Sequence, residues 1–345
     1  MKQKVRYAIV GVAFVAFLTL LHTGLNAPQA ARMDSGSRMV MGTFSRIVVM
    51  APSERTAREC LDAAFEVQRR IDSLMSYHAD DSELNRVNRL AAEKPVAVNP
   101  LTFRVLEEAI RFSELSDGAF DVTVGPLVDL WKQAGRTNTP PSAEALAEVR
   151  ARVGSDKLIL DEGNLTVRFA VEGMRIDLGG IAKGFAIDKS VEAMRRHGAL
   201  GGLVDIGGDV RCFGITPQGQ DHWRIGLQDP SVDENDPAGE PLLVLRVNDA
   251  AVTTSGDYRR FTRVRGEKQS HILDTRTGRG AARLASVTIM APDAMTADAL
   301  ATAVSVLGPE EGLALIERTP GVEAILIPAG DLRPVFSSNA RAYTR

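Results

Sequence analysis

The sequence predicts an α+β protein with a mainly helical front third and a strand-rich remainder. Three observations predict it. Apolar residues recur at about 3.6-residue spacing from Thr56 to Met75, and two further helix starts follow before Gly118. Beyond Leu158 the pattern changes to short β-branched runs broken by Gly, Asp and Pro. The two patterns come in blocks rather than in regular alternation, which disfavours a doubly wound parallel sheet. The chain has 345 residues, enough to bury a sizeable core in one large or two ordinary domains. Forty-one Lys plus Arg against 44 Asp plus Glu leave a formal charge of −3, without the basic excess of a nucleic-acid binder.

At the front, Lys2, Lys4 and Arg6 precede an apolar run from Ala8 to Leu21, the layout of a secretory signal. Ala27-Pro28-Gln29-Ala30-Ala31 offers small residues for cleavage. Counted to Leu25, the same run is 18 residues long, enough for an uncleaved membrane anchor. Both alternatives place the body in the periplasm, soluble or tied to the inner membrane. No cysteine closely follows, so a lipobox is absent. Residues 1–31 are read as signal peptide or anchor, 32–38 as a polar linker, and 39–345 as the folded body.

Met39 to Met50 reads as a strand and Thr56 to Met75 as a helix. Ser82-Glu83-Leu84 begins a second helix. Asn99-Pro100 caps and starts a third, which runs to Leu115 and stops before Gly118. Strands are expected at Leu158–Leu160, Leu165–Phe169, Leu203–Ile206, Leu242–Val247, Ser286–Met290 and Ala324–Ile327, with helices at Gly184–His197 and Thr296–Leu307. Asp229 to Pro241 carries five acids and three prolines and is expected to be an exposed excursion.

Several segments could carry chemistry. Asp177 to Gly184 leaves a strand and opens a helix, so its backbone N–H groups and Lys183 could cradle a phosphate, or form an ordinary turn. It matches neither a P-loop nor a dinucleotide fingerprint. Gly207-Gly208-Asp209 reads either as a plain turn or as a close ligand approach. Asp298 and Thr302 stand four apart on one helical face, where oxygen donors suit a hard cation and an acidic first turn also suits the helix dipole. The segments Thr253 to Tyr258 and Ser270 to Gly278 gather hydroxyls, carboxylates and His271, which could relay a proton near neutral pH or be an ordinary hydrogen-bonded residue. Tyr77 and Phe120 could face a planar ring or belong to the core. Cys60 and Cys212 lack zinc spacing and leave one disulfide open.

Taken in order, Met41-Gly42-Thr43, Met75-Ser76-Tyr77 with Ser82-Glu83-Leu84 and Asn88, Gly118 to Thr123 with Gly125-Pro126-Leu127, Asp177 to Gly184 with Asp188, Gly207-Gly208-Asp209, Thr254 to Tyr258, His271 to Gly278 and Asp298 to Thr302 resemble the ApbE family, the FAD:protein FMN transferases. The resemblance runs from Met39 to the C-terminus. It implies a T-fold-like mixed-sheet body with a helical N-terminal part, a single catalytic unit of two lobes. It further implies FAD as substrate, Mg2+ as cofactor, and transfer of FMN to a Thr or Ser hydroxyl of an exported or membrane flavoprotein, such as a respiratory subunit, with release of AMP. The resemblance assigns the cation to Asp298, Thr302 and the backbone carbonyl of Ala182. It places Lys183 at the phosphates, Tyr77 against the isoalloxazine, and Met41, Glu83, Gly118, Asp121, Asp177 and Ser255 around the nucleotide. His271 lies at the cofactor and takes the acceptor's proton, with Asp298 the other catalytic residue.

The sequence departs from the family pattern at Ser270, Thr275 and Arg279-Gly280 and in lacking the lipobox cysteine. An FAD pyrophosphatase and a flavin-holding protein without turnover remain the competing readings.

Overall fold

The computed structural model describes residues 30–231, 240–256, 261–331 and 333–344. The expected leader therefore lies outside the described residues except for Ala30 and Ala31. Strands β1 (Ala31–Val40) and β2 (Thr43–Ala51) form a hairpin across Met41-Gly42. Both turn residues have positive φ, 51° and 68°, as a two-residue hairpin requires. This corrects the linker at 32–38, which lies within β1. A mostly exposed edge strand is held by its backbone ladder and by contacts such as Arg46 to Asp34, so hydrophobic patterning could not reveal it.

Helix α1 (Glu54–Met75) is capped by Ser53, α2 (Glu83–Leu90) by Ser82, and α3 (Pro100–Leu115), after the short β3 (Val96–Ala97), by Asn99 with Pro at its start. Then come α4 (Gly125–Thr137) and α5 (Ala143–Arg150), neither anticipated from sequence. β4 (Leu158–Asp161) and β5 (Thr166–Phe169) join β3 in a small sheet, and α6 (Ala182–Arg196) follows. β6 (Gly201–Ile206) and β7 (Asp209–Gly214) are next, then β8 (Trp223–Leu227) and β9 (Leu243–Val247), which pair with each other. The acidic excursion joins that pair, and its residues 232–239 lie outside the described ones. The rest comprises β10 (Ala250–Gly256), β11 (Phe261–Val264), β12 (Glu267–Ser270), β13 (Leu273–Asp274), β14 (Arg279–Gly280), β15 (Leu284–Ala291), α7 (Ala294–Glu317), β16 (Glu323–Pro328) and β17 (Val335–Phe336). The expected end of the last helix at Leu307 marks a kink in α7, where Gly308 (φ 79°) precedes Pro309.

Eight strands make one antiparallel sheet in the order β1-β2-β6-β7-β10-β15-β16-β17. Alternation assigns its two faces. Ile47, Val49, Val287, Ile289, Ala324 and Leu326 join the main core with α1, α6 and α7, whereas Val48, Met290 and Ile325 meet Trp223 and Leu245 of the β8–β9 pair. Residues of β7 and β10 that share the helix-facing side thereby point at the first turns of α6 and α7. Cys60 and Cys212 are both free and buried, on opposite sides of this sheet.

Candidate active site

The first turns of α6 and α7 meet around two buried carboxylates and one ammonium. Asp298 is 3% exposed; its Oδ1 accepts from Lys183 Nζ at 3.0 Å and its Oδ2 from the Gly184 backbone N–H at 3.0 Å. Lys183 also pairs with Asp209, which opens β7 and accepts from the Thr254 N–H at 3.2 Å. Thr302, one turn beyond Asp298, puts its Oγ1 3.0 Å from where a β-carbon on Gly180 would stand. The glycine loop therefore approaches α7 closely, and a side chain at Gly180 would require Thr302 to give way by a few tenths of an ångström. Ala182 lies buried at the first position of α6.

Burial pushes the Asp298 carboxyl up to about 6, with Lys183 pulling it down and Asp209 pushing it further up. Burial opposes the charge on Lys183, yet Asp209 and Asp298 hold that ammonium firmly protonated. The Lys183 charge is shared between two carboxylates that would otherwise be buried unpaired. Two carboxylates and one ammonium leave the pocket net negative. With the Thr302 hydroxyl and the backbone at the start of α6 beside them, this oxygen donor set fits a hard divalent cation. Among the described residues no cluster of three or more His, Cys, Asp or Glu offers a different kind of metal site.

A second group surrounds Tyr77. Its hydroxyl donates to Asp129 Oδ1 at 2.9 Å and lies 3.3 Å from the Gly125 carbonyl. Arg175 pairs with Asp129 at 2.8 Å, and Lys132 Nζ and Arg175 Cζ stand 4.7 and 5.2 Å from the ring centre. Burial, then Asp129, raises the phenol above its usual range. Asp177 sits beside this group; it accepts from the Gly179 N–H at 2.8 Å, and burial raises its carboxyl. Sequence reading missed Asp129 and Lys132 because α4 was not anticipated, although Gly125-Pro126 is a helix-start signal.

Gly118 and Asp121 border a cavity of about 450 Å³ shared with Arg150, Ser155, Thr275 and Arg276. Asp121 accepts from Thr123 N–H at 2.8 Å, Thr123 Oγ1 at 2.7 Å and Ser155 N–H at 3.0 Å, while burial raises its carboxyl. Thr275 Oγ1 donates to the Gly118 carbonyl at 3.1 Å, tying the His271 segment to this rim. His271 itself is exposed. Ser255 is half-buried on β10, on the sheet side that carries Ala251; Asp257 and Tyr258 lie outside the described residues.

The remaining sequence candidates have structural partners. Met41 donates its N–H to Asp72 Oδ2 at 3.2 Å. Glu83 accepts from the Asn99 N–H at 2.9 Å and pairs with Arg86 at 3.6 Å, bracing α2 against the start of α3. Phe120 is a core residue, packed edge-on against Phe112.

Comparison with known proteins bears on this arrangement. An FAD:protein FMN transferase of Treponema pallidum is 36% identical over 312 residues, 86% of this chain and 84% of that protein. One from Vibrio cholerae is 39% identical over 250 residues, 72% of this chain and 73% of that protein. The crystal structure of an ApbE protein from Thermotoga maritima superposes with a TM-score of 0.80 at 33% identity, covering 92% of this chain and all of that one. The flavin transferase ApbE of Vibrio cholerae gives 0.77 at 32% identity over 91% of this chain and 99% of its own. The family model for ApbE spans residues 41–326, from the β1–β2 turn to β16, and so takes in both helices that carry the carboxylate cluster: the chain belongs to the ApbE family.

Proposed function

We propose that this protein is an FAD:protein FMN transferase, carrying the FMN moiety of FAD to a Thr or Ser hydroxyl of an exported or membrane-bound flavoprotein. The observation that carries the reading is the net-negative cluster of Asp298, Asp209 and Lys183 beside Thr302, at the N-terminus of α6. Asp298, Thr302 and the Ala182 carbonyl would hold Mg2+, which when bound would supply positive charge against the diphosphate and the departing AMP.

The chain's own groups account for the remaining steps. Tyr77, oriented through Asp129, offers an aromatic face to the isoalloxazine. Gly118, Asp121 and Asp177 shape the nucleotide path. The acceptor hydroxyl attacks the FMN phosphorus, a new P–O ester bond forms, the P–O bond to AMP breaks, and His271 takes the hydroxyl proton. Exposure of His271 suits an acceptor that arrives from solvent as a folded protein. A periplasmic site of action, with the leader cleaved or kept as an inner-membrane anchor, follows from the basic and apolar start of the sequence.

The test is to incubate the purified protein with FAD, Mg2+ and an exported flavoprotein domain, reading in-gel flavin fluorescence and acceptor mass. Covalent flavin with AMP release supports the proposal. FMN and AMP without labelling would show a pyrophosphatase, and unchanged FAD a flavin-holding protein.

A further inference from the structure

The two helices of the carboxylate cluster cap one another. Asp298 of α7 accepts from the first-turn N–H of Gly184 in α6, and Asp188 of α6 returns the contact. Asp188 is 7% exposed; its Oδ1 accepts from the Ala294 N–H at 2.8 Å and its Oδ2 from the Met295 N–H at 2.9 Å, the first two amides of α7. Arg211 of β7 holds the same carboxylate at 2.6 Å. Asp293 already caps α7 by accepting from Thr296, so Asp188 serves amides that the ordinary cap leaves over. Between the two clasps the backbones touch: a β-carbon on Gly184 would lie 2.2 Å from the Ala294 carbonyl oxygen.

We propose that Asp188 is a positioning residue for the cation site, setting where α7 starts relative to α6 and hence the spacing of Asp298 and Thr302 from the Ala182 backbone. The inference rests on the cation reading above. The Asp188 carboxylate bonds to Arg211 and to the Ala294 and Met295 amides rather than to the proposed cation donors, so its effect runs through the backbone one turn before Asp298.

Two variants cut the clasp from opposite sides. Asp188→Asn keeps the shape but turns an amide NH2 toward a donor. Met295→Pro removes one donor at a first-turn position where a helix tolerates proline. Mn2+ binding is measured by calorimetry without FAD, and FMN transfer is titrated with Mg2+ at saturating FAD. The expected result is about a tenfold or greater loss of Mn2+ affinity and a matching rise in the Mg2+ requirement in both variants, with kcat at saturating Mg2+ within about twofold of wild type. A purely structural role would lower stability and leave the metal dependence in place. Wild-type Mn2+ affinity in both variants overturns the proposal alone. A wild type that binds no Mn2+ overturns the cation reading and the proposal together.

Discussion

The hydroxyl of Tyr77 donates to Asp129 Oδ1 at 2.9 Å across 52 residues of sequence, and this bond fixes the plane of a ring flanked by both Lys132 and Arg175. Replacing Asp129 with Ala frees the phenol and leaves Arg175 without its 2.8 Å partner. FAD affinity, read by fluorescence quenching, is expected to fall about fivefold or more, on the scale of one lost charge-assisted hydrogen bond. Unchanged affinity would mean that Tyr77 does not meet the flavin.

Asp298 carries the largest predicted effect on chemistry. Asp298→Asn preserves volume and removes the charge that Lys183 and the proposed cation share. Transfer is expected to drop by about 100-fold or more, the scale of losing a preorganised charge-stabilising group, while circular dichroism stays native. Transfer within a few-fold of wild type would disprove its role.

Gly184 is predicted to be intolerant for a steric reason. Its added β-carbon would meet the Ala294 oxygen at 2.2 Å and the Met295 Cα at 2.7 Å, both backbone atoms that cannot rotate aside. Gly184→Ala should cost about 3 kcal/mol in urea unfolding, whereas Gly163→Ala, whose nearest neighbour is an Asp161 side-chain oxygen at 3.5 Å, should change stability by less than about 1 kcal/mol.

Asp188 predicts a pH signature. Burial pushes its carboxyl up to about 6; Arg211 and the two helix amides draw it down, and Asp293 raises it. Since the folded state holds this proton more tightly than the unfolded chain, with an ordinary value near 3.8, its contribution to stability is fully present below about pH 4 and is lost as pH rises to about 6. The loss amounts to about 3 kcal/mol. Unfolding free energies of wild type and Asp188→Asn measured between pH 4 and 7 should diverge by this order across that window; parallel curves would show that the carboxyl is not perturbed.

Much of the fold was legible where the signal is local. Ser82 and Asn99-Pro100 mark helix starts through short-range capping, and the structure places α2 and α3 directly after them. The strands at Ser286 and Ala324 were visible because burial on both faces demands runs of apolar residues. β1 was not, because an exposed edge strand is specified by pairing with β2 rather than by its own composition. The helix at Gly125 was missed although Pro126 announces it, and with it went Asp129 and Lys132.

The sequence by itself determined the family resemblance and the joint presentation of Asp298 and Thr302, since a four-residue spacing on a helix is a matter of backbone geometry. Only the tertiary structure decided that Lys183 would be held by Asp209, 26 residues away, and that Asp188 and Asp298 would each cap the other's helix. Those contacts depend on how two helices settle against one face of a sheet. Their partners are far apart along the chain, and no local spacing encodes which buried carboxylate will meet which donor.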